Sequence, residues 1–471
     1  MLRRDFFKNA TLATGSMALP FVSLKALAAG ERPEQFFVYY HCSGGWDPTS
    51  LLDPKGDADR GDNRGDDSRV NKFTASQILS RGNIRYAPLW INNQYIDDAD
   101  VGVVDPSAEF SDELFSLNTL NNSISNNTNT RNSAQTGLYN AFMKHYQNKL
   151  RIINGVNHQT NSHTTGRRNA SSGTNEMDYP NFSALYAAQF DSSMPMAYIT
   201  DGAGYNFSAG LVPETRLDSL AAIEYLANPN KFDDNNNYFE DSIMQRLKAA
   251  RSQREFDILK SEALVSRKQQ ILLSQQAKGE NELAELIEAI SPSGGGAAAG
   301  LNSRQQQMSI AAGAFSKGLA ASCHISSRGG FDTHGDSDNR QSAALRGTLS
   351  DLHHLWQQLE LQGVADRTTV LVGSDFGRTP WYNSNNGKDH WNVSSMMVMG
   401  NGVVGNTVIQ ASDALVNAIK VNPVTFLPDD NGVTITPAVV HQSLRNVFNI
   451  SNSAFAKEYS LNAEAINLFT S

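Results

Sequence analysis

The chain of 471 residues is short of cysteine, of positive charge and of long apolar runs, and each shortage removes a class of protein. Two cysteines, Cys42 and Cys323, are too few for a disulfide-stapled scaffold or a four-thiolate metal site. Both lie in strand-like segments, where a buried free thiol is as good a reading as a bridge. Lysine and arginine number 39 against 48 acidic residues, a net charge of -9. Such a field repels nucleic acid and anionic lipid, and no basic patch reverses it, so no nucleic-acid partner is expected. The one apolar stretch near the start carries Gly15, Ser16, Pro20 and Ser23 and is too short and polar to span a bilayer stably.

What stands at the start is ordered. Met1-Leu2-Arg3-Arg4-Asp5-Phe6-Phe7-Lys8 leads into weakly apolar residues, and Ala26-Leu27-Ala28 supplies a small-x-small cleavage pattern. Residues 1–28 therefore read as a twin-arginine signal peptide, with the twin-arginine translocase as partner during export. The expected location is periplasmic or secreted, with no stable membrane span after cleavage. That route carries folded cargo, often because a metal or cofactor is loaded first. The leader holds Arg3, Arg4, Lys8 and Lys25 against Asp5, so its loss takes the charge from -9 by a further -3, to -12. Residues 29–471 are enough for one large domain with insertions.

Short apolar β-prone runs at 36–40, 150–156, 322–326, 368–373 and 395–399 read as buried strands. Between the last of them lies a helical pattern over 341–361, with Ala344, Leu345, Leu349, Leu352, Leu355, Trp356 and Leu359 on one face. Strands spaced by helices imply crossover units: an α/β fold with a doubly wound, mostly parallel sheet. Residues 57–132 read as long polar loops. Residues 235–304 read as a helical insertion, a long helix over 238–276 and a shorter one over 281–290, closed by a Gly/Ala linker at 291–300. Asp57, Asp59, Asp62, Asp66 and Asp67 match no strong calcium loop and read as a solvated acidic segment.

In open α/β sheets, sites form beyond the carboxyl ends of the strands. There the sequence places Gly44-Gly45-Trp46-Asp47, Asn161-Ser162-His163-Thr164-Thr165, Gly330-Phe331-Asp332-Thr333-His334 and Ser374-Asp375-Phe376-Gly377-Arg378, while Lys388-Asp389-His390 precedes the fifth strand. Asp332 and His334, two apart in an extended loop, can face one ion. Asp47, Asp375 and His390 are the further candidate metal ligands, with capping the competing role for Asp47 and Asp375. Mixed Asp and His favour a divalent metal, zinc first, with manganese, calcium or magnesium as alternatives. Such an ion polarises an ester oxygen. Ser162 is the first candidate nucleophile, with His163 beside it as a catalytic candidate and Thr164 and Thr165 as rivals. Arg167, Arg168 and Arg378 are candidate binders of an anionic substrate group. His158 reads equally as site lining or loop structure. His41 and His324, inside strands, read as satisfied core histidines.

These motifs in this order resemble the exported bacterial family called domain of unknown function 1501, over nearly the whole mature chain. The resemblance implies an alkaline-phosphatase-like fold, of the alkaline phosphatase and sulfatase superfamily, whose members use a metal-assisted Ser or Thr nucleophile. It implies one metal at Asp47 and Asp375 and another at Asp332, His334 and His390. The chain departs from the catalytic pattern in having Phe376 where a histidine ligand is usual and in spacing Asp332 and His334 two apart rather than four. One ion is then expected in place of two. Two functions follow: a hydrolase of phosphate or sulfate esters, small or polysaccharide, or a catalytically degenerate relative serving metal or ligand binding or cell-envelope assembly.

Overall fold

The first strand shows why the chain builds layers. In Phe36–Cys42 (β1), Phe36, Val38, Tyr40 and Cys42 enter one core cluster, while Phe37 and Tyr39 enter another. A strand apolar on both sides must be covered on both faces. The computed structural model describes residues 33–61, 67–91, 94–96, 138–194, 196–216, 236–261, 301–327 and 329–470, with isolated positions 223, 230, 232, 286, 287 and 290. Pro33–Ser471 forms one compact unit. The leader assigned to residues 1–28 and the linker at 291–300 lie outside the described residues.

Two small hairpins follow β1: Leu79–Arg81 with Ile84–Tyr86 (β2, β3) and Leu89–Ile91 with Gln94–Ile96 (β4, β5). Then come Leu150–Asn157 (β6), Tyr198–Thr200 (β7), Glu214–Arg216 (β8), Ser322–Ser326 (β9) and Thr368–Ser374 (β10). Gly377–Arg378 (β11) pairs with His390–Trp391 (β12), and Val393–Gly400 (β13) and Thr407–Gln410 (β14) close the strand list. Eight of these strands form one sheet in the order β14-β6-β13-β10-β1-β9-β7-β8. β13 runs antiparallel to both neighbours, and the remaining pairings are parallel.

The helices include, in chain order, Leu138–Tyr146 (α1), His163–Ser172 (α2), Phe182–Ala187 (α3), Asp241–Ser261 (α4), Ser303–Lys317 (α5), Ser337–Leu361 (α6) and Pro437–Val447 (α7). Residues of α1, α5 and α6 share a core cluster with one face, and residues of α2, α3 and α7 share one with the other. The expected α/β class with a mostly parallel sheet is therefore observed. The apolar face expected at 341–361 is buried in α6, which starts one turn earlier.

Three strands of the eight-stranded sheet escaped the sequence reading. β7, β8 and β14 have three or four residues, too few to show a period of two. The segment read as loops over 57–132 carries two hairpins within its described part. Of the expected long helix at 238–276, residues Asp241–Ser261 are helical and nearly all exposed, 238–240 are not helical, and 262–276 lies outside the described residues. No helix of the described residues is long and apolar enough to cross a membrane. Cys42 and Cys323 are buried free thiols. Cys323 pairs in register with Val38, four residues before Cys42, an offset of about 13 Å along the strand that no disulfide spans.

Candidate metal centre

Parallel strands deliver their last residues to one edge of the sheet. β10 ends at Ser374 and hands over Asp375, β9 leads to Asp332 and His334, and β6 leads into α2, whose first residue is His163. His390 comes before a strand, yet reaches the same edge because β13 is reversed, so its beginning lies where the parallel strands end. Close packing there needs glycine. A Cβ on Gly166 would strike the carbonyl of Asp375, so only glycine lets α2 come this near β10.

Asp332 is the hub, with its side chain 50% exposed. Its Oδ1 lies 3.1 Å from His334 Nε2 and 3.4 Å from His390 Nε2, and its Oδ2 lies 3.6 Å from His163 Nε2. His334 Nε2 and His390 Nε2 are 3.0 Å apart. The other nitrogen of each ring is taken. His163 Nδ1 is 2.6 Å from Asp375 Oδ2, His334 Nδ1 is 2.7 Å from Asp389 Oδ1, and His390 Nδ1 is 2.8 Å from the Asn161 carbonyl. Ionised carboxylates and carbonyls only accept, so each Nδ1 carries the hydrogen, and in the neutral ring each Nε2 presents a lone pair. Two lone pairs 3.0 Å apart repel unless a cation, a proton or a metal ion, stands with them.

The fit to a metal follows from those spacings. Bonds of about 2.0–2.1 Å in a tetrahedral site hold ligand atoms roughly 3.3 Å apart. His163, Asp332 and His390 form the group whose ligand atoms all lie within 4.8 Å of one another among the described residues, and His334 touches two of the three. Phe376 is buried with its ring centroid 4.5 Å from that of His390 and 4.9 Å from that of His163, an apolar floor under both imidazoles. Burial pushes the Asp332 carboxyl up, but the hydrogen bond and charge of Arg378 outweigh it, with His163 and His334 adding to them, and its pKa falls. Burial lowers His390, which favours the neutral, ligating ring.

Asp375 is fully buried and holds two histidines, His163 through Oδ2 and His41 Nε2 through Oδ1 at 2.7 Å. Burial opposes its charge, yet the two histidine hydrogen bonds and the Arg167 guanidinium keep its pKa well below the carboxylate range. With each oxygen hydrogen-bonded to a histidine, Asp375 stands behind the cluster and braces one of its rings. Asp47 is not in the cluster either. Its carboxylate caps the short helix Pro48–Ser50 through Thr49 N and is 2.7 Å from the buried Lys388 Nζ. The structure thus gives these two aspartates, expected as ligands, capping and bracing contacts outside the cluster.

Arg378 is also placed differently from the expectation of substrate binding. Its side chain is wholly buried and donates to the carbonyls of Gly44, Gly45 and Lys388 and to Asp332 Oδ1 at 2.8 Å. Every donor nitrogen is spent, so it shapes the site from below. Arg167 is more open, 39% exposed, with Nε 3.5 Å from Asp375. Arg168 turns to the Asn175 carbonyl. Ser162, exposed at the N-cap of α2 without a side-chain capping bond, lies between His163 and the Asn161 carbonyl that holds His390. His158 and His324 are fully buried, and burial lowers each to about 3. Neither His158 nor His324 has a protein hydrogen-bond partner on its ring among the described residues. Sequence reasoning missed His41 and Asp389. Asp389 stood in the Lys-Asp-His-Trp motif, whereas His41 gave no signal beyond its place near a strand end.

An α/β protein with histidines and an aspartate converging at the carboxyl edge of a mostly parallel sheet is the class that this geometry defines. The chain belongs to the family described as protein of unknown function (DUF1501), whose model matches residues 37–429. That span takes in every residue of the cluster. No curated protein and no solved structure matches the chain.

Proposed function

We propose that the chain is an exported, metal-dependent hydrolase of phosphate or sulfate esters with a doubly wound, alkaline-phosphatase-like fold. The observation that carries the reading is the common arrangement of His163, His334 and His390: each Nδ1 is tied down and each Nε2 is turned to Asp332. A divalent ion held by these four residues, zinc first, supplies Lewis-acid polarisation of the ester oxygen. One ion is proposed, since Asp47 and Asp375 are spent on Lys388 and on two histidines.

Ser162 attacks. Its Oγ bonds to phosphorus or sulfur, the bond to the leaving alcohol breaks, and the hydroxyl proton passes through solvent to that alcohol. Water then releases the acid from Ser162. The free amides at the start of α2 and the Arg167 guanidinium receive the anionic oxygens. The substrate is a small-molecule or polysaccharide ester, met in the periplasm or outside the cell after passage through the twin-arginine translocase.

A second reading, a catalytically degenerate relative that binds metal or ligand in the cell envelope, is favoured by the burial of Arg378 and the engagement of Asp375, which leave no second group of metal ligands among the described residues. Elemental analysis after native export, with hydrolysis of p-nitrophenyl phosphate and p-nitrophenyl sulfate, separates the two. The hydrolase reading expects about one zinc per chain and turnover that falls roughly a thousandfold or more in Ser162→Ala with metal retained. Turnover undiminished in Ser162→Ala and in Asp332→Asn sinks it, while metal without turnover selects the second reading.

A further inference from the structure

His41 is buried in β1 and lies outside the cluster, yet its hydrogen bonds fix where one of its protons sits. Its Nε2 is 2.7 Å from Asp375 Oδ1, an acceptor, so Nε2 carries the hydrogen. In the neutral ring its Nδ1 accepts, and the Tyr39 hydroxyl stands 3.3 Å away to donate. Burial drives the Tyr39 pKa far up, so the phenol keeps its proton. The second oxygen of Asp375 accepts from His163 Nδ1 at 2.6 Å, and His163 Nε2 is left as a lone pair 3.6 Å from Asp332 Oδ2.

We infer that Tyr39, His41 and Asp375 form a buried positioning relay that holds His163 in its Nδ1–H tautomer with Nε2 presented to Asp332 and His390. The chain runs from β1 through the end of β10 to the first residue of α2, so three elements fix one ring. His41 occupies one carboxylate oxygen and thereby fixes the rotation of Asp375. Without that donor the buried carboxylate is free to swing away from His163 toward Arg167, whose Nε lies 3.5 Å off. Partners behind metal-ligating imidazoles are worth roughly 10–100-fold in metal affinity when lost. The purpose of the relay rests on the metal reading above. The tautomer itself does not.

The test uses the whole mature chain with 15N-labelled histidine, first free of metal and then titrated with zinc. Long-range proton–nitrogen correlation in the metal-free protein is expected to show His163 protonated at Nδ1 and His41 at Nε2. Asp375→Leu removes the acceptor and is expected to give mixed His163 tautomers, with zinc affinity weakened roughly 100-fold. His41→Asn, polar but too short to reach Asp375, is expected to lose roughly 10-fold, and His41→Gln, whose amide reaches, to stay within about threefold. A merely structural His41 would lower the melting temperature in both variants and leave zinc affinity in the folded protein alone. His163 protonated at Nε2 in the wild type, or equal zinc affinity in wild type, His41→Asn and Asp375→Leu, overturns the relay. If the wild type takes no zinc, the metal reading fails by itself and the spectra still decide the relay, with His163 at Nδ1–H in wild type and mixed in Asp375→Leu upholding it.

Discussion

Asp47 and Asp332 both stand in glycine-rich turns beyond the ends of neighbouring strands, β1 and β9, and by sequence both read as ligands. The structure separates them. Asp47 is 2% exposed, with Lys388, Thr49 and Ser50 taking up its oxygens, whereas the Asp332 side chain is half exposed and faces three imidazoles. The difference lies in what the chain itself supplies. A carboxylate already neutralised by a buried lysine has no coordination left to offer, while one surrounded by lone pairs needs a cation. Arg378 bonds to Asp332 but occupies only one lone pair of Oδ1.

Breaking the buried pair gives the largest expected effect. Asp47→Asn strands Lys388, whose side chain is wholly buried, and an uncompensated interior charge costs about 3–5 kcal/mol. Denaturant unfolding reads the loss, and zinc content is expected to be unchanged. A drop in zinc without a drop in stability would place Asp47 among the ligands after all. The converse experiment is Asp332→Asn. If an apparent zinc affinity of about 10–16 kcal/mol is shared among four ligands, one ligand is worth roughly 3 kcal/mol, or about 100-fold. Stability of the metal-free variant is expected to fall as well, because the wholly buried Arg378 loses its carboxylate partner, but by less than in Asp47→Asn since Asp332 is half exposed.

The histidines divide in the same way. His441, on α7, is fully buried, donates Nε2–H to the Ala170 carbonyl of α2 at 2.9 Å, and is lowered by burial to about 4. Its unfolded pKa is near 6.5, so below that pH the unfolded chain binds a proton that the folded chain refuses. Stability is present above 6.5 and is lost as pH falls toward 4, by about 1.4 kcal/mol per pH unit. His158 and His324, lowered to about 3 by burial, act in the same direction over a wider window. Unfolding midpoints of wild type and His441→Gln between pH 7 and 4 test this. The variant is expected to be less stable at pH 7 and to have the shallower slope, and parallel slopes would show that His441 is not refused its proton.

How far the molecule was legible depends on how local each signal is. Strands such as β6, β10 and β13 declare themselves because seven residues in succession are buried in each, and α6 does so through its apolar face. The position of His390 at the common edge was not legible, because it requires knowing that β13 is reversed. Nor was the fate of Asp47, whose partner Lys388 lies 341 residues away. Asp332 and His334 were legible, being two apart in an extended segment with Thr333 buried between them. His41 was hidden by its position. A histidine at the sixth residue of a buried strand looks like core, and only the placement of Asp375 beside it gives the ring a task.

The smallest expected effect concerns Phe376, and it tests whether the open half of the comparison needs its apolar floor. Its ring lies against both His390 and His163, and aromatic contacts of this kind are worth about 0.5–1.5 kcal/mol beyond area burial. Phe376→Leu keeps most of the volume and loses the flat surface. Zinc affinity is then expected to fall about three- to tenfold, with Asp332, His334 and His390 still in place and the melting temperature shifted by only a few degrees. Phe376→His, in contrast, puts an imidazole where the resemblance expects a second nitrogen ligand. If a second zinc then binds, the single-ion character of this site rests on that one side chain. If it does not, the cause is Asp375, whose two oxygens remain committed to His41 and His163.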